Sequence, residues 1–267
     1  MNRIEARFAA LRAVGQKGFV AYIAAGDPDL KTTAALARQF ERIGVDALEL
    51  GVPFSDPLAD GVVNQLAAER ALRSGTTLDG VLHTVAQLRR DGSEIPIVFY
   101  IYYNLIHRHG VARFVKDAAA AGVDGVLALD LPPEEAADYE RAMKHAGLAP
   151  IYLVAPTTPE DRVAEICKHA SGFIYYVSRE GVTGMQQTIA TTIAPKIAAI
   201  RRHSRLPIAI GFGVSNPEQS RNMAQHGDAV VVGSAIVNQI ANGRDAKAVA
   251  RFVAPMVKAV RDARPQR

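Results

Sequence analysis

Residues 48–61 read LELGVPFSDPLADG. The stretch begins inside an apolar run, 47–52, that reads as a buried strand interrupted by Glu49. A carboxylate facing a core is costly unless it is paired or protonated. Burial also raises its pKa toward the range in which one group can both give and take a proton. After Val52 the pattern breaks into Pro53, Ser55, Asp56, Pro57, Asp60 and Gly61, a stiff polar loop. The sequence thus puts one acid on a strand and a second, Asp60, on the loop that follows it. Singly, each has a structural reading: a strand Glu can serve an ion pair, and an Asp among Pro and Gly often only forms a turn. So many restricted residues beside a strand acid favour chemistry.

Working outward, the same kind of apolar run recurs at 19–25, 97–102, 125–130, 150–155, 173–178, 207–212 and 229–233. Between the runs lies text with helical periodicity. It covers 2–14 (through Ile4, Phe8, Leu11 and Val14), a segment from Asp29 or Thr32 to 43, 62–73, 78–90, 110–121, 134–145, a segment opened by Pro159, 188–202, 216–225 and 245–262. Pro195 interrupts the 188–202 text, so its main helix is expected to start there. Strands apolar on both faces suit a parallel sheet covered by helices. Eight strand–helix units in a chain of 267 residues predict one (β/α)₈ TIM barrel, which typically needs ~250 residues. The expected domain is a single one, 1–267, with an extra N-terminal helix and a short extra helix after strand eight. A doubly wound open sheet is the competing fold. No Gly-x-Gly-x-x-Gly follows an early strand, which disfavours it.

Composition narrows the function. Hydrophobic residues are 49% and charged residues 22%, as in ordinary globular proteins. The net charge of +4 suits an anionic substrate, but the basic residues are scattered, as in Arg89-Arg90 and Arg201-Arg202, and aromatics are 6% with no Trp. Nucleic acid is therefore not an expected partner. The one cysteine, Cys167, excludes an internal disulfide and a cysteine metal cluster. It reads as a buried residue on the apolar side of a helix. The start, MNRIEARFAALRA, lacks a signal-peptide core, and no run is long and apolar enough to span a bilayer. A cytoplasmic location is expected.

In a barrel the active site lies at the C-terminal ends of the strands. Glu49 and Asp60 belong there, with Tyr22 in strand one and Tyr175 in strand six. Two carboxylates in different environments suit proton transfer at neutral pH. A metal site is the competing use of two acids. None of the seven histidines makes a ligand-like pair with a carboxylate in sequence, so no metal is expected. Three late loops are rich in glycine: 181–184 after strand six, 211–213 after strand seven, and 233–235 after strand eight. Glycine lets backbone N–H groups approach an anion closely. Residues 234–237 can form a short helix whose N-terminus points at the same place, the recurrent barrel phosphate site. The residues alone thus describe an acid/base enzyme acting on a phosphate ester.

Four stretches, LELGVPFSDPLADG (48–61), FIYYVSREGVTG (173–184), AIGFGVSNPEQ (209–219) and VVVGSAIV (230–237), strongly resemble the tryptophan synthase alpha chain family, and the likeness covers nearly the whole chain. The resemblance implies a lyase that splits indole-3-glycerol phosphate into indole and glyceraldehyde 3-phosphate. It implies Glu49 as general acid/base, Asp60 as partner of the indole N–H, and Tyr175 as a residue positioning Glu49 and the glycerol chain. Tyr22, Tyr100, Leu127, Leu129, Leu153 and Phe212 would line the indole pocket. Gly184, Gly213, Gly233 and Ser234 would hold the phosphate, and Thr183 would close over Asp60.

The chain departs from the family in carrying Val62 where proline is usual, Asn104-Leu105 where many members have Asn-Pro, and the polar Tyr22 and Tyr100 in the pocket. The resemblance further implies an α₂β₂ heterotetramer with a beta chain. That partner would carry pyridoxal phosphate, for which this chain has no site, and would meet Pro53, Asp56 and Asn104. A free-standing lyase, a mainly allosteric subunit and a sugar-phosphate isomerase or epimerase are the alternatives.

Overall fold

The computed structural model describes residues 2–177, 193–211 and 213–263. Nine parallel strands follow one another around the sheet: β1 Gly18–Ala24, β2 Ala47–Gly51, β3 Ile97–Ile101, β4 Gly125–Ala128, β5 Ala149–Pro150, β6 Tyr152–Val154, β7 Ile174–Val177, β8 Ile208–Gly211 and β9 Ala229–Val232. β1 pairs with both β2 and β9. β5 pairs with β4 and β6 with β7, and only Ile151 separates β5 from β6. The Ile151 N–H still donates to the Val126 carbonyl at 3.0 Å. These two pieces are one stave of an eight-stave barrel, expected above as an unbroken strand at 150–155. The stave changes neighbours at Ile151, which splits it.

The alternation of side chains along each strand builds two cores. One face packs Phe19, Leu48, Leu50, Phe99, Val126 and Ile210 against the surrounding helices. The other fills the barrel with Val20, Ala47, Val98, Leu127, Ile151, Phe173, Tyr175 and Val231. Helix Arg3–Ala13, capped by the Asn2 side chain on the Glu5 N–H, closes the N-terminal end with Ile4, Phe8 and Leu11. The Phe8 and Phe173 rings meet there at 5.7 Å.

Helices Val62–Arg73 and Leu78–Arg90 have the expected bounds, and Pro195 stands in the first turn of Ala194–His203. Asp29 and Asn216 are helix N-caps, each side chain accepting from a backbone N–H. Three local expectations are corrected. Helix Tyr103–His109 precedes Val111–Ala121, with Gly110 at φ 90 between them, where the sequence reading has one helix. The text at 134–145 is a 3₁₀ turn, Pro133–Glu135, followed by helix Ala137–His145. Pro159 is the N-cap of Glu160–His169 and so precedes the first turn. Cys167 is buried on that helix as a free thiol. Helix Ser234–Ala241 is the short extra one after the last strand, and Ala246–Arg261 ends the fold. Among the described residues no helix is long and apolar enough to cross a membrane.

Candidate active site

Glu49 lies in the middle of β2, in register with Tyr22 of β1 and Val98 of β3. Strand alternation turns it inward, where its relative exposure is 0%. Among the described residues neither carboxylate oxygen has a hydrogen-bond partner. Burial, followed by the nearby charge of Asp60, pushes its pKa up to about 8. Glu49 is therefore a neutral acid at pH 7 that can be discharged without breaking any hydrogen bond.

Space around it is made by two glycines. A Cβ on Gly51 would lie 2.5 Å from the Tyr22 hydroxyl, and one on Gly211 would lie 2.8 Å from that of Tyr175. The bare backbone at these strand ends is what lets two phenols fold into the barrel mouth. Burial first, then neighbouring carboxylates, hold both phenols above the ordinary tyrosine range, so they stay protonated. Tyr175 donates no hydrogen bond to Glu49; the two are coupled through charge.

Asp60 reaches the same mouth from the loop after β2. Its Oδ1 accepts from the Tyr100 hydroxyl at 2.8 Å and its Oδ2 from the Tyr102 hydroxyl at 2.9 Å. Tyr102 was not singled out by the sequence reading. Its spacing of two from Tyr100 on one strand end was the available signal, because such residues share a face. The Tyr102 oxygen also accepts from the Ala59 N–H at 2.9 Å. Gln65 Nε2 donates to the Asp60 carbonyl at 3.0 Å, tying the loop to the helix that follows. Tyr22, Gly51, Asp60, Asn64, Tyr100 and Tyr102 together wall a cleft at the C-terminal end of the barrel.

Leu127, Leu129 and Leu153 face the barrel interior with Tyr100 and Tyr175. Gly233 closes β9 and caps helix Ser234–Ala241, whose first N–H groups have no acceptor within the helix. Gly213 follows β8 with φ +61 and open space where a side chain would be. Thr183, Gly184 and Phe212 lie outside the described residues. Among the described residues no group of three or more His, Cys, Asp or Glu side chains could hold a metal ion. His169 contacts Glu140 at 2.9 Å and Glu165 at 3.1 Å, an ion-pair cluster remote in sequence from both site acids.

The fold is a (β/α)₈ barrel, the class of protein whose sites lie at the C-terminal mouth, and two acids, Glu49 and Asp60, stand at that mouth. The chain matches the family model described as tryptophan synthase alpha chain over residues 8–263. It is 54% identical over 240 residues to a tryptophan synthase alpha chain of Opitutus terrae, covering 90% of each chain. It is 46% identical over 263 residues to that of Geobacter sulfurreducens, covering 98% of this chain and 99% of the relative. The structure is similar to tryptophan synthase subunit alpha from Legionella pneumophila, with TM-score 0.87 and 37% identity over 97% of this chain and 98% of that one. The chain belongs to the tryptophan synthase alpha chain family, and it is an enzyme of tryptophan biosynthesis that cleaves indole-3-glycerol phosphate.

Proposed function

We propose that the cleavage runs through Glu49 and Asp60 as a retro-aldol reaction giving indole and glyceraldehyde 3-phosphate. The observation that carries this reading is the contrast between the two acids. Glu49 is buried, unpartnered and protonated near neutrality, whereas Asp60 is held as an acceptor by two phenols.

Glu49 gives its proton to C3 of the indole ring, and the positive charge that results on the ring nitrogen faces Asp60. The ring is now an electron sink. Glu49, as carboxylate, takes the proton of the hydroxyl on the carbon bonded to C3. That oxygen becomes the aldehyde carbonyl, the C–C bond breaks, and its electron pair returns to the ring. One proton leaves Glu49 and one returns, so the acid is regenerated. A neutral acid with a pKa close to the working pH suits both halves, and charge placement in a desolvated mouth supplies the rest.

Tyr22, Tyr100, Leu127, Leu129, Leu153 and Phe212 line the ring site in this reading, with Tyr175 on the glycerol chain. Gly184, Gly213, Gly233 and Ser234 bind the phosphate, and Thr183 closes on Asp60. The partner is a tryptophan synthase beta chain that receives the indole and holds the pyridoxal phosphate. Of the three contact residues expected for it, Pro53 is buried while Asp56 and Asn104 are exposed, so the contact is narrowed to the latter two. Leu58, 89% exposed on the same loop, adds apolar surface. The test is indole release from indole-3-glycerol phosphate by the purified chain, with and without a beta chain. Slow release that rises on adding the partner is the expected result. Fast release insensitive to it makes the chain a free-standing lyase, and no release in either case overturns the reading.

A further inference from the structure

Tyr100 lies at the C-terminal end of β3 and Tyr102 just beyond it, as N-cap of the next helix, and their hydroxyls converge on a single carboxylate. Each takes a different oxygen of Asp60. They do not do the same work. Tyr102 also accepts from the Ala59 N–H, so it registers the backbone of the loop as well as the side chain. The Tyr100 hydroxyl donates to Asp60 Oδ1. Its ring stands edge-on to Tyr22, with centroids 5.1 Å apart and planes at 70°. That contact and the strand fix the phenol independently of the loop.

A carboxylate offers about four lone-pair sites, and two phenols occupy two of them. The others remain for a donor in the cleft. An Asp side chain on a polar loop has two free torsions. With both oxygens tied to fixed hydroxyls, the plane of the carboxylate is set before a substrate arrives. Burial and the Asp60 charge hold the Tyr100 phenol above its ordinary range, so it remains a donor through neutral pH. An apolar side chain at position 100 would line an aromatic ring as well as Tyr100 does, but it would leave Oδ1 to water. The hydroxyl is thus surplus to a simple apolar wall.

We infer that Tyr100 is a positioning residue: its hydroxyl on Asp60 Oδ1 orients that carboxylate toward the ring nitrogen of the substrate. The inference rests on the proposed role of Asp60. The charge on the ring nitrogen develops after substrate binding, so misorientation of Asp60 costs transition-state stabilisation more than affinity.

The test uses the purified full chain and Tyr100→Phe, which keeps the ring and its contact with Tyr22. Steady-state indole release is followed from about pH 5 to about pH 10. A charge-assisted hydrogen bond is lost, so kcat falls about tenfold or more while KM changes less than about threefold.

A second measurement guards against a packing effect. Binding of indole-3-propanol phosphate, an unreactive ring N–H donor, is titrated for the wild type, Tyr100→Phe, Asp60→Asn and the double variant. The Tyr100→Phe effect on affinity vanishes in the Asp60→Asn background if the hydroxyl acts through Asp60. Unchanged kcat in Tyr100→Phe, or an affinity loss well beyond about threefold that is equal in both backgrounds, overturns the inference and leaves the cleavage reading intact. A wild-type chain that releases no indole with or without its partner overturns both.

Discussion

Asp46 and Glu49 are three residues apart, both buried, at 2% and 0% exposure, and they serve opposite ends of the barrel. Asp46 stands just before β2 at the N-terminal rim. Its Oδ2 accepts from the Phe19 N–H of β1 at 2.7 Å, and its Oδ1 accepts from Arg7 Nε at 2.8 Å. The device is repeated around that rim. Asp124, just before β4, accepts from the Ile97 N–H of β3 at 2.9 Å and from Arg89 at 2.8 Å. Asp228, just before β9, accepts from the Ile208 N–H of β8 at 2.8 Å and is paired with Arg201. Each aspartate thus satisfies an N–H in the first two residues of the neighbouring stave and carries an arginine.

Toward the other end, Glu49 has neither a hydrogen-bond donor nor an ion-pair partner among the described residues. Burying charge requires compensation, and where none is provided the group keeps its proton. The same residue class therefore fastens staves at one rim and stores a proton at the other. The donor set decides which.

The sharpest way to break this comparison is to remove the proton and keep the shape. Glu49→Gln leaves a neutral polar side chain of the same size, and nothing in the barrel depended on the carboxyl for a hydrogen bond. We expect kcat for indole release to fall by about 10²–10⁴-fold, the usual worth of a positioned acid/base. At about pH 4.5, where the protonated carboxyl still contributes nearly its full stability, the melting temperature should hold within a few degrees. Turnover within a few-fold of wild type would remove Glu49 from the chemistry.

The complementary variant is Asp46→Ala. It strands the buried Phe19 N–H and leaves Arg7 without its buried partner. The unsatisfied buried N–H costs ~1–3 kcal/mol, roughly 5 °C in melting temperature for a domain of this size, while Arg7, 37% exposed, turns to water. Asp46 is far down the strand from the mouth, so kcat at a temperature where the variant is folded should match wild type. Thermal unfolding and turnover on one preparation decide it. A normal melting temperature would show that the rim aspartates are incidental.

Much of this was legible beforehand, for local reasons. The bounds of Val62–Arg73 and Leu78–Arg90 follow from apolar spacing and from polar or glycine residues that end it. Pro195 and Asn216 act through their own backbone and nearest neighbours. Glu49 stood out because an acid in an apolar strand is an anomaly at a single position. What was missed depends on distance. Helix Tyr103–His109 spans only 7 residues, too few for a period to show. The break at Ile151 reflects which staves flank it. Tyr102 meets Asp60 across 42 positions and Ala59 across 43, and its local spacing from Tyr100 names neither partner. The rim aspartates escaped for the same reason, since each is defined by an N–H 20 or 27 residues away.

The finest distinction between the two kinds of acid is their response to pH. The folded-state pKa of Glu49 is raised from 4.5 to about 8. Between those values the unfolded chain has released this proton and the folded chain still holds it. The native state then binds more protons, so stability contributed by this group is full below about pH 4.5, declines as pH rises, and is lost above about pH 8. The slope can reach at most ~1.4 kcal/mol per pH unit, and water penetration will make it smaller. Glutamine has no proton to lose, so the melting temperature of Glu49→Gln minus that of wild type should widen from about pH 5 and level off above about pH 8. Melting curves of the two proteins in matched buffers measure this directly, and other titrating groups cancel in the difference. A flat difference would mean that the wild-type carboxyl ionises in the barrel without cost, through donors supplied by water. In that case the two rims would differ only in where their donors come from.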